Sequence, residues 1–229
     1  MKIFKLLAKI CFGVLPSVCT IADPAIEYSF AAGKWDPNDW MFVKSPRLDY
    51  LGSWIQKELY IENRTPSDAN SSDLLGARAG ETYTSMLLKQ QFTGSITISS
   101  TMEFTDQMAP LIVIASEPGK DKKGRAEYRE HFEVVIFDKG VNVWHHYFKD
   151  GQPSWKKSAY SNFSLKPNIK YNVKVKIDPT QEGKVFSVAI GDHEFGYLDD
   201  SLPDKYYVGI TGCEGINHFY DFTVENAKK

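Results

Sequence analysis

The 229-residue chain contains only three cysteines, Cys11, Cys19 and Cys213. Such scarcity excludes a disulfide-stapled extracellular module. Cys/His metal-ligand spacing of the zinc-site kind is also missing. No helical period of convincing length is present, and neither is an internal repeat. Charge of one sign does not dominate, with 27 Lys+Arg against 29 Asp+Glu. A near-neutral, slightly acidic chain does not attract nucleic acid or an anionic membrane, so any anionic ligand needs a local basic site. Apolar runs are short as well. Ile10 to Ile21 is interrupted by Pro16, Ser17 and Thr20 and falls short of the roughly 20 residues a membrane span needs.

What the N-terminus does contain is an export pattern. Lys2, Lys5 and Lys9 precede the apolar run, and Thr20-Ile21-Ala22 offers small residues ahead of Asp23. The expectation is a signal peptide over residues 1–22, then one domain over 23–229, exported to the periplasm, the cell surface or the medium. Removing the signal leaves 24 basic against 29 acidic residues, a net charge of −5, and a single cysteine, Cys213. Cys19 is the one candidate for a lipid anchor. Pro16-Ser17-Val18 ahead of it matches lipoprotein processing poorly.

After residue 90 the chain alternates. Ile96, Ile98, Met102 and Phe104 interleave with polar residues, as do Tyr171, Val173, Val175 and Ile177, and Phe186, Val188 and Ile190. Period two marks strands with one buried face. The continuous run Leu111-Ile112-Val113-Ile114 predicts a strand buried on both sides. Turn signals at Pro118-Gly119, Lys139-Gly140, Asp150-Gly151, Asp178-Pro179 and Gly191-Asp192 separate the strands. The fold class is therefore all-β, a two-sheet antiparallel sandwich of the jelly-roll kind. Its core includes Ile98, Met102, Ile112, Ile114, Val134, Ile136, Val143, Val173, Val175, Val188, Phe222 and Val224. Residues 62–82 read as a long polar surface loop.

The hairpin from Arg129 to Phe148 carries the chemistry. A two-residue turn at Lys139-Gly140 predicts that Phe137 pairs with Asn142, Val135 with Trp144, Glu133 with His146 and His131 with Phe148. Phe132, Val134, Ile136, Val141 and Val143 then share the core face. The opposite face carries Arg129, His131, Glu133, Asn142, Trp144 and His146. A flat aromatic beside amide, imidazole and charged groups suits a sugar, which stacks its C–H surface and hydrogen-bonds through its hydroxyls. The plainer reading of such a face is a set of stabilising cross-strand pairs. A second segment, Tyr206 to Val224, reads as strand, Gly-rich bend and final strand. It would bring Glu214 and His218 to one end of the sheet. Cys213 reads as a small buried apolar group rather than a nucleophile.

Four stretches, ETYTSMLLKQQFTGSITISSTMEF, APLIVIA, HFEVVIFDKGVNVWHHY and YYVGITGCEGINHFYDFTV, resemble the concanavalin A-like lectin/glucanase superfamily, including its laminin-G-like members. The resemblance covers roughly residues 50–225. It implies two antiparallel sheets with a glycan bound on the concave face, and it includes both binders and polysaccharide-cleaving enzymes. It also implies calcium in many relatives, for which Asp36, Asp39 and Asp221 are the acids here; no cofactor follows from the residues themselves. The chain departs from the Glu-x-Asp-x-x-Glu strand of the retaining glucanases, since Glu130-His131-Phe132-Glu133 does not fit it. Arg125-Ala126-Glu127-Tyr128-Arg129 and Tyr147-Phe148-Lys149 echo alginate-type lyases, but the intervening Gln-Ile-His strand is missing.

Three function classes follow. The first is an exported protein that binds or processes a polysaccharide or oligosaccharide. The second is a glycoside hydrolase or polysaccharide lyase, with Glu133, Glu214 and His146 as catalytic candidates and Arg129, His131, Asn142, Trp144 and His218 holding the ligand. The third is a non-catalytic interaction module. A cleft sealed by residues 62–82 would favour the third, two carboxylates about 5–5.5 Å or about 6.5–9.5 Å apart in an open cleft would favour the second, and a shallow aromatic platform with only one carboxylate would favour a binder.

Overall fold

A computed structural model describes residues 25–226. The expected signal peptide over residues 1–22, Cys19 as a lipid-anchor candidate and the expected start at Asp23 lie outside the described residues. Two antiparallel sheets face each other, and the expected sandwich is present. In spatial order the first sheet runs His193–Asp199, Lys184–Ile190, Tyr171–Pro179, Ile96–Phe104, Asn217–Phe219, Ile61–Asn63, Trp54–Gln56. Asp221–Asn226 also pairs with Ile96–Phe104 and carries Ile26–Ser29 on its far side. The second sheet runs Gln152–Asn162, Gly140–Lys149, His131–Phe137, Met108–Ala115, Lys205–Gly212, Thr84–Leu88, Trp40–Phe42. No helix among the described residues is long and apolar enough to cross a membrane.

Alternation explains the core. All twelve residues assigned to it from the sequence are buried in one cluster between the sheets. Phe132 on one sheet meets Phe186 on the other, with ring centroids 6.3 Å apart. Met108–Ala115 is buried on both faces, as its continuous apolar run requires. Ile112 and Ile114 enter the inter-sheet core. Val113 packs outward against Val43, Tyr83, Leu87 and Tyr128, and Leu111 against Ala109 and Val135. The second sheet thus carries an additional layer on its outer face, to which Val43, Leu48, Tyr83, Ala126 and Tyr128 contribute.

Residues 62–82 are more ordered than a polar loop. Asn70 starts a five-residue helix, Ser71–Leu75, through a reciprocal capping box with Asp73. A 3-10 turn follows at Ala79–Thr82. The Lys120–Arg125 loop closes a small hairpin and pairs its charges locally: Lys123 and Arg125 meet Asp49, and Arg125 also meets Asp121.

The central hairpin is offset from the predicted register. Phe137 pairs with Gly140, Val135 with Asn142, Glu133 with Trp144 and His131 with His146. The turn residues are Asp138 and Lys139, not Lys139 and Gly140. Gly140 instead opens the second strand with φ of +123°, and a Cβ there would sit 2.1 Å from the Ser161 carbonyl oxygen. Only glycine fits that approach to the neighbouring strand. The offset is two residues, so every side chain keeps its predicted face.

Candidate functional site

An open cleft of about 480 Å³ lies over the outer face of the second sheet. Its floor comes from the hairpin: Glu133, Val135 and Phe137 on one strand, Asn142, Trp144 and His146 on the next. Leu48, Ala79, Gly80 and Tyr83 form one wall, so the 62–82 segment borders the cleft without sealing it. Cys213 and Glu214 close one end, while Arg47 and Trp155 stand at the rim. Trp144 is half-buried, packed on Ala109, Leu111 and Val135, and Trp155 is 51% exposed.

Glu133 is the centre of a buried polar cluster. Its Oε1 lies 3.2 Å from His131 Nε2 and its Oε2 lies 3.0 Å from His146 Nε2. The two imidazoles stack as cross-strand neighbours, 4.6 Å between centroids and 10° between planes, and Tyr128 stacks on His131 from behind. Burial would raise the Glu133 carboxyl, but the charge of His146 beside it and the hydrogen bond of His131 carry it well below the usual range. Burial pushes His131 down to about 4, against the opposing pull of Glu133. At the cleft end, burial and then the charge of Glu133 push the Glu214 carboxyl up. Burial likewise raises the Cys213 thiol, which matches an apolar group and not a nucleophile.

His131, Glu133 and His146 are the one grouping of three metal-type ligands among the described residues. Near-parallel rings at this separation cannot both hold a single ion in their planes, which imidazole ligation requires, unless one ring turns. The arrangement as it stands is a carboxylate clamping two imidazoles. Asp36, Asp39 and Asp221 form no such grouping. Asp36 caps the Asn38 amide and Asp221 accepts from the Thr101 amide.

Of the candidates named from sequence, Glu133, Glu214, His146, Asn142 and Trp144 line the cleft, and His131 lies buried beneath it. Two are placed elsewhere. Arg129 precedes the strand, which begins at His131, so alternation does not govern it. Its guanidinium donates to Glu127 and to the Lys120 carbonyl, and lies 5.6 Å over Phe148. His218 belongs to the other sheet, because the chain crosses between sheets after Gly212. There it sits between Glu103 and Glu62, at 3.2 Å and 3.5 Å, with its ring tilted 31° against Tyr60. Arg47, Tyr83 and Trp155 were not identified from the sequence. The alternation of Gln152–Asn162 could have pointed to Trp155; nothing local marks Arg47 or Tyr83.

This architecture is the concanavalin A-like jelly roll. The chain is similar to the carbohydrate-binding module CBM66 from Bacillus subtilis, with 15% identity, a TM-score of 0.55, and 82% of this chain and 96% of that one covered. A glycoside hydrolase family 16 endo-glucanase from Bacteroides ovatus aligns at 8% identity and a TM-score of 0.54, over 87% of this chain and 99% of that one. The exoplasmic/lumenal domain of VIP36, in a Ca2+/Man3GlcNAc-bound form, aligns at 11% identity and a TM-score of 0.52, over 84% and 87%. The chain matches no protein-family model and no curated protein sequence.

Proposed function

We propose that this protein binds a glycan in the cleft over its second sheet. The observation that carries the reading is the composition of an open groove. A half-buried Trp144 and an exposed Trp155 offer ring faces, while Asn142, His146, Glu214 and Arg47 offer hydrogen bonds around them. Apolar walls with a few convergent polar groups are the usual make-up of a small-ligand site. Sugars fit it because their C–H faces stack on aromatic rings while their hydroxyls need donors and acceptors. A polysaccharide array on the purified protein tests the reading, with Trp144→Ala and Asn142→Ala as controls. Binding lost in both variants supports it; binding untouched by either removes the cleft from consideration. Similarity to a Ca2+-bound form supports running the array with calcium and with chelator. The Lys2-to-Ala22 pattern supports export, tested by N-terminal sequencing of protein recovered outside the cytoplasm.

A catalytic reading is favoured by one specific observation. Glu133 and Glu214 line the same cleft, and their surroundings drive their proton affinities in opposite directions. Such a split suits an acid and a base working together. Glu214 would donate a proton, while Glu133 stays ionised and orients His146. Release of reducing ends from a bound polysaccharide, and of unsaturated ends for a lyase, tests it. Glu214→Gln, which keeps a hydrogen-bonding group but cannot donate the acid proton, should stop product formation and weaken binding only slightly. No product from the unaltered protein on any polysaccharide it binds would leave the binding function alone.

A further inference from the structure

The edge strand Gln152–Asn162 continues the cleft outward. Trp155 pairs with His146 and Lys157 with Trp144. Beyond a bulge at Val143/Trp144, Tyr160 pairs with Asn142. Trp155, Lys157 and Tyr160 therefore share the face that carries the cleft. Ala159, on the other face, packs on the core. Trp155 is 51% and Tyr160 58% exposed, large rings to leave in water. Each ring carries a cation. Arg47 Cζ lies 5.0 Å over Trp155; Lys157 Nζ lies 5.0 Å over Tyr160 and 5.6 Å over Trp144. Neither Arg47 nor Lys157 forms an ion pair among the described residues.

We propose that this strand is a ramp for several consecutive sugars of an acidic polysaccharide, with Trp155 and Tyr160 stacking the sugar rings and Arg47 and Lys157 pairing their carboxylates or sulfates. The inference rests on the glycan-binding reading and adds the class of glycan and the length of the site. From Trp155 to Tyr160 the strand spans about 16 Å at ~3.3 Å per residue, longer than one sugar ring. A cation resting on an aromatic face is attracted by the ring and keeps its outward N–H groups free. Arginine presents them as a fork that fits a carboxylate or sulfate. A neutral sugar gains only hydrogen bonds from these two cations, whereas an acidic one also gains charge pairing. The protein as a whole is acidic, so attraction for a polyanion must come from local groups such as these. Repulsion from the floor is limited, because the Glu133 carboxylate is enclosed by His131 and His146.

Calorimetry on the full chain tests this with polygalacturonate, its methyl ester, a sulfated galactan and a neutral galactan. Polygalacturonate oligomers of two to eight units form a second series. The acidic polymers should bind at least tenfold tighter than their neutral counterparts, with affinity falling as salt rises. Binding of polygalacturonate alone assigns the ramp to uronates, and binding of the sulfated galactan alone to sulfates. Arg47→Gln and Lys157→Gln should each weaken acidic binding about tenfold with unchanged melting temperature. Tyr160→Ala should weaken long oligomers and spare the dimer. Neutral and acidic polymers bound equally, and indifferently to these variants, would overturn the ramp and leave glycan binding standing. No glycan bound at all would overturn both.

Discussion

Oε2 of Glu133 lies 3.0 Å from Nε2 of His146, although the two residues are not directly opposed in the strand pair. Trp144 is the residue opposite Glu133, and His146 is opposite His131. The carboxylate therefore reaches diagonally along the cleft face and serves both histidines at once.

That relationship predicts a structural cost. Glu133→Ala leaves two buried imidazoles facing an empty position, and burying unmatched polar groups is expensive. The expected loss is about 3 kcal/mol in urea denaturation. Glu133→Gln keeps an acceptor and should cost less. Equal stability of Glu133→Ala and the unaltered protein would show that the cluster contributes nothing to folding.

The same cluster sets a pH dependence. His131 binds its proton near pH 6.5 in the unfolded chain and near 4 in the folded protein, because burial outweighs the help from Glu133. Between those values the unfolded chain holds the additional proton, so stability falls as pH falls from 6.5 toward 4. The loss should be on the order of 2–3 kcal/mol. His131→Phe should flatten the curve over that window. An unchanged slope in the variant would assign the acid sensitivity to other groups.

Trp144 and Ile136 separate site from scaffold on one hairpin. Ile136 is fully buried between the sheets, and Ile136→Ala should cost roughly 2–5 kcal/mol with glycan affinity unchanged in the folded fraction. Trp144 is half-buried over the cleft floor. Trp144→Ala should lower stability less than the roughly 3–5 kcal/mol of a core tryptophan and abolish binding. Calorimetry and thermal melting on both variants distinguish the roles, and a reversed pattern would refute the assignment.

Gly140 holds the hairpin corner. With φ of +123° and Ser161 pressed against it, Gly140→Ala must displace the edge strand. The expected loss exceeds the ~1 kcal/mol of an ordinary glycine-to-alanine strain. Gly151, at φ of +74° with open space around it, is the control and should lose less. Similar denaturation midpoints for the two variants would contradict this account of the turn.

Alternation of apolar residues determined the fold class, the twelve core positions and the cleft face of the hairpin. Period two survives a two-residue offset in register, so Glu133, Asn142, Trp144 and His146 lie on the predicted face although their cross-strand partners differ from the predicted ones. Alternation has no authority outside a strand, which is why Arg129 turned toward Glu127 instead. It also cannot say which sheet a strand joins, and His218 went to the far side of the sandwich when the chain crossed over after Gly212. Glu214 was a candidate from its Gly-rich bend, but Arg47 and Tyr83 come to the cleft from distant parts of the chain. Their meeting depends on packing among segments with no periodicity to read, so only the tertiary structure placed them beside Trp144 and Glu133.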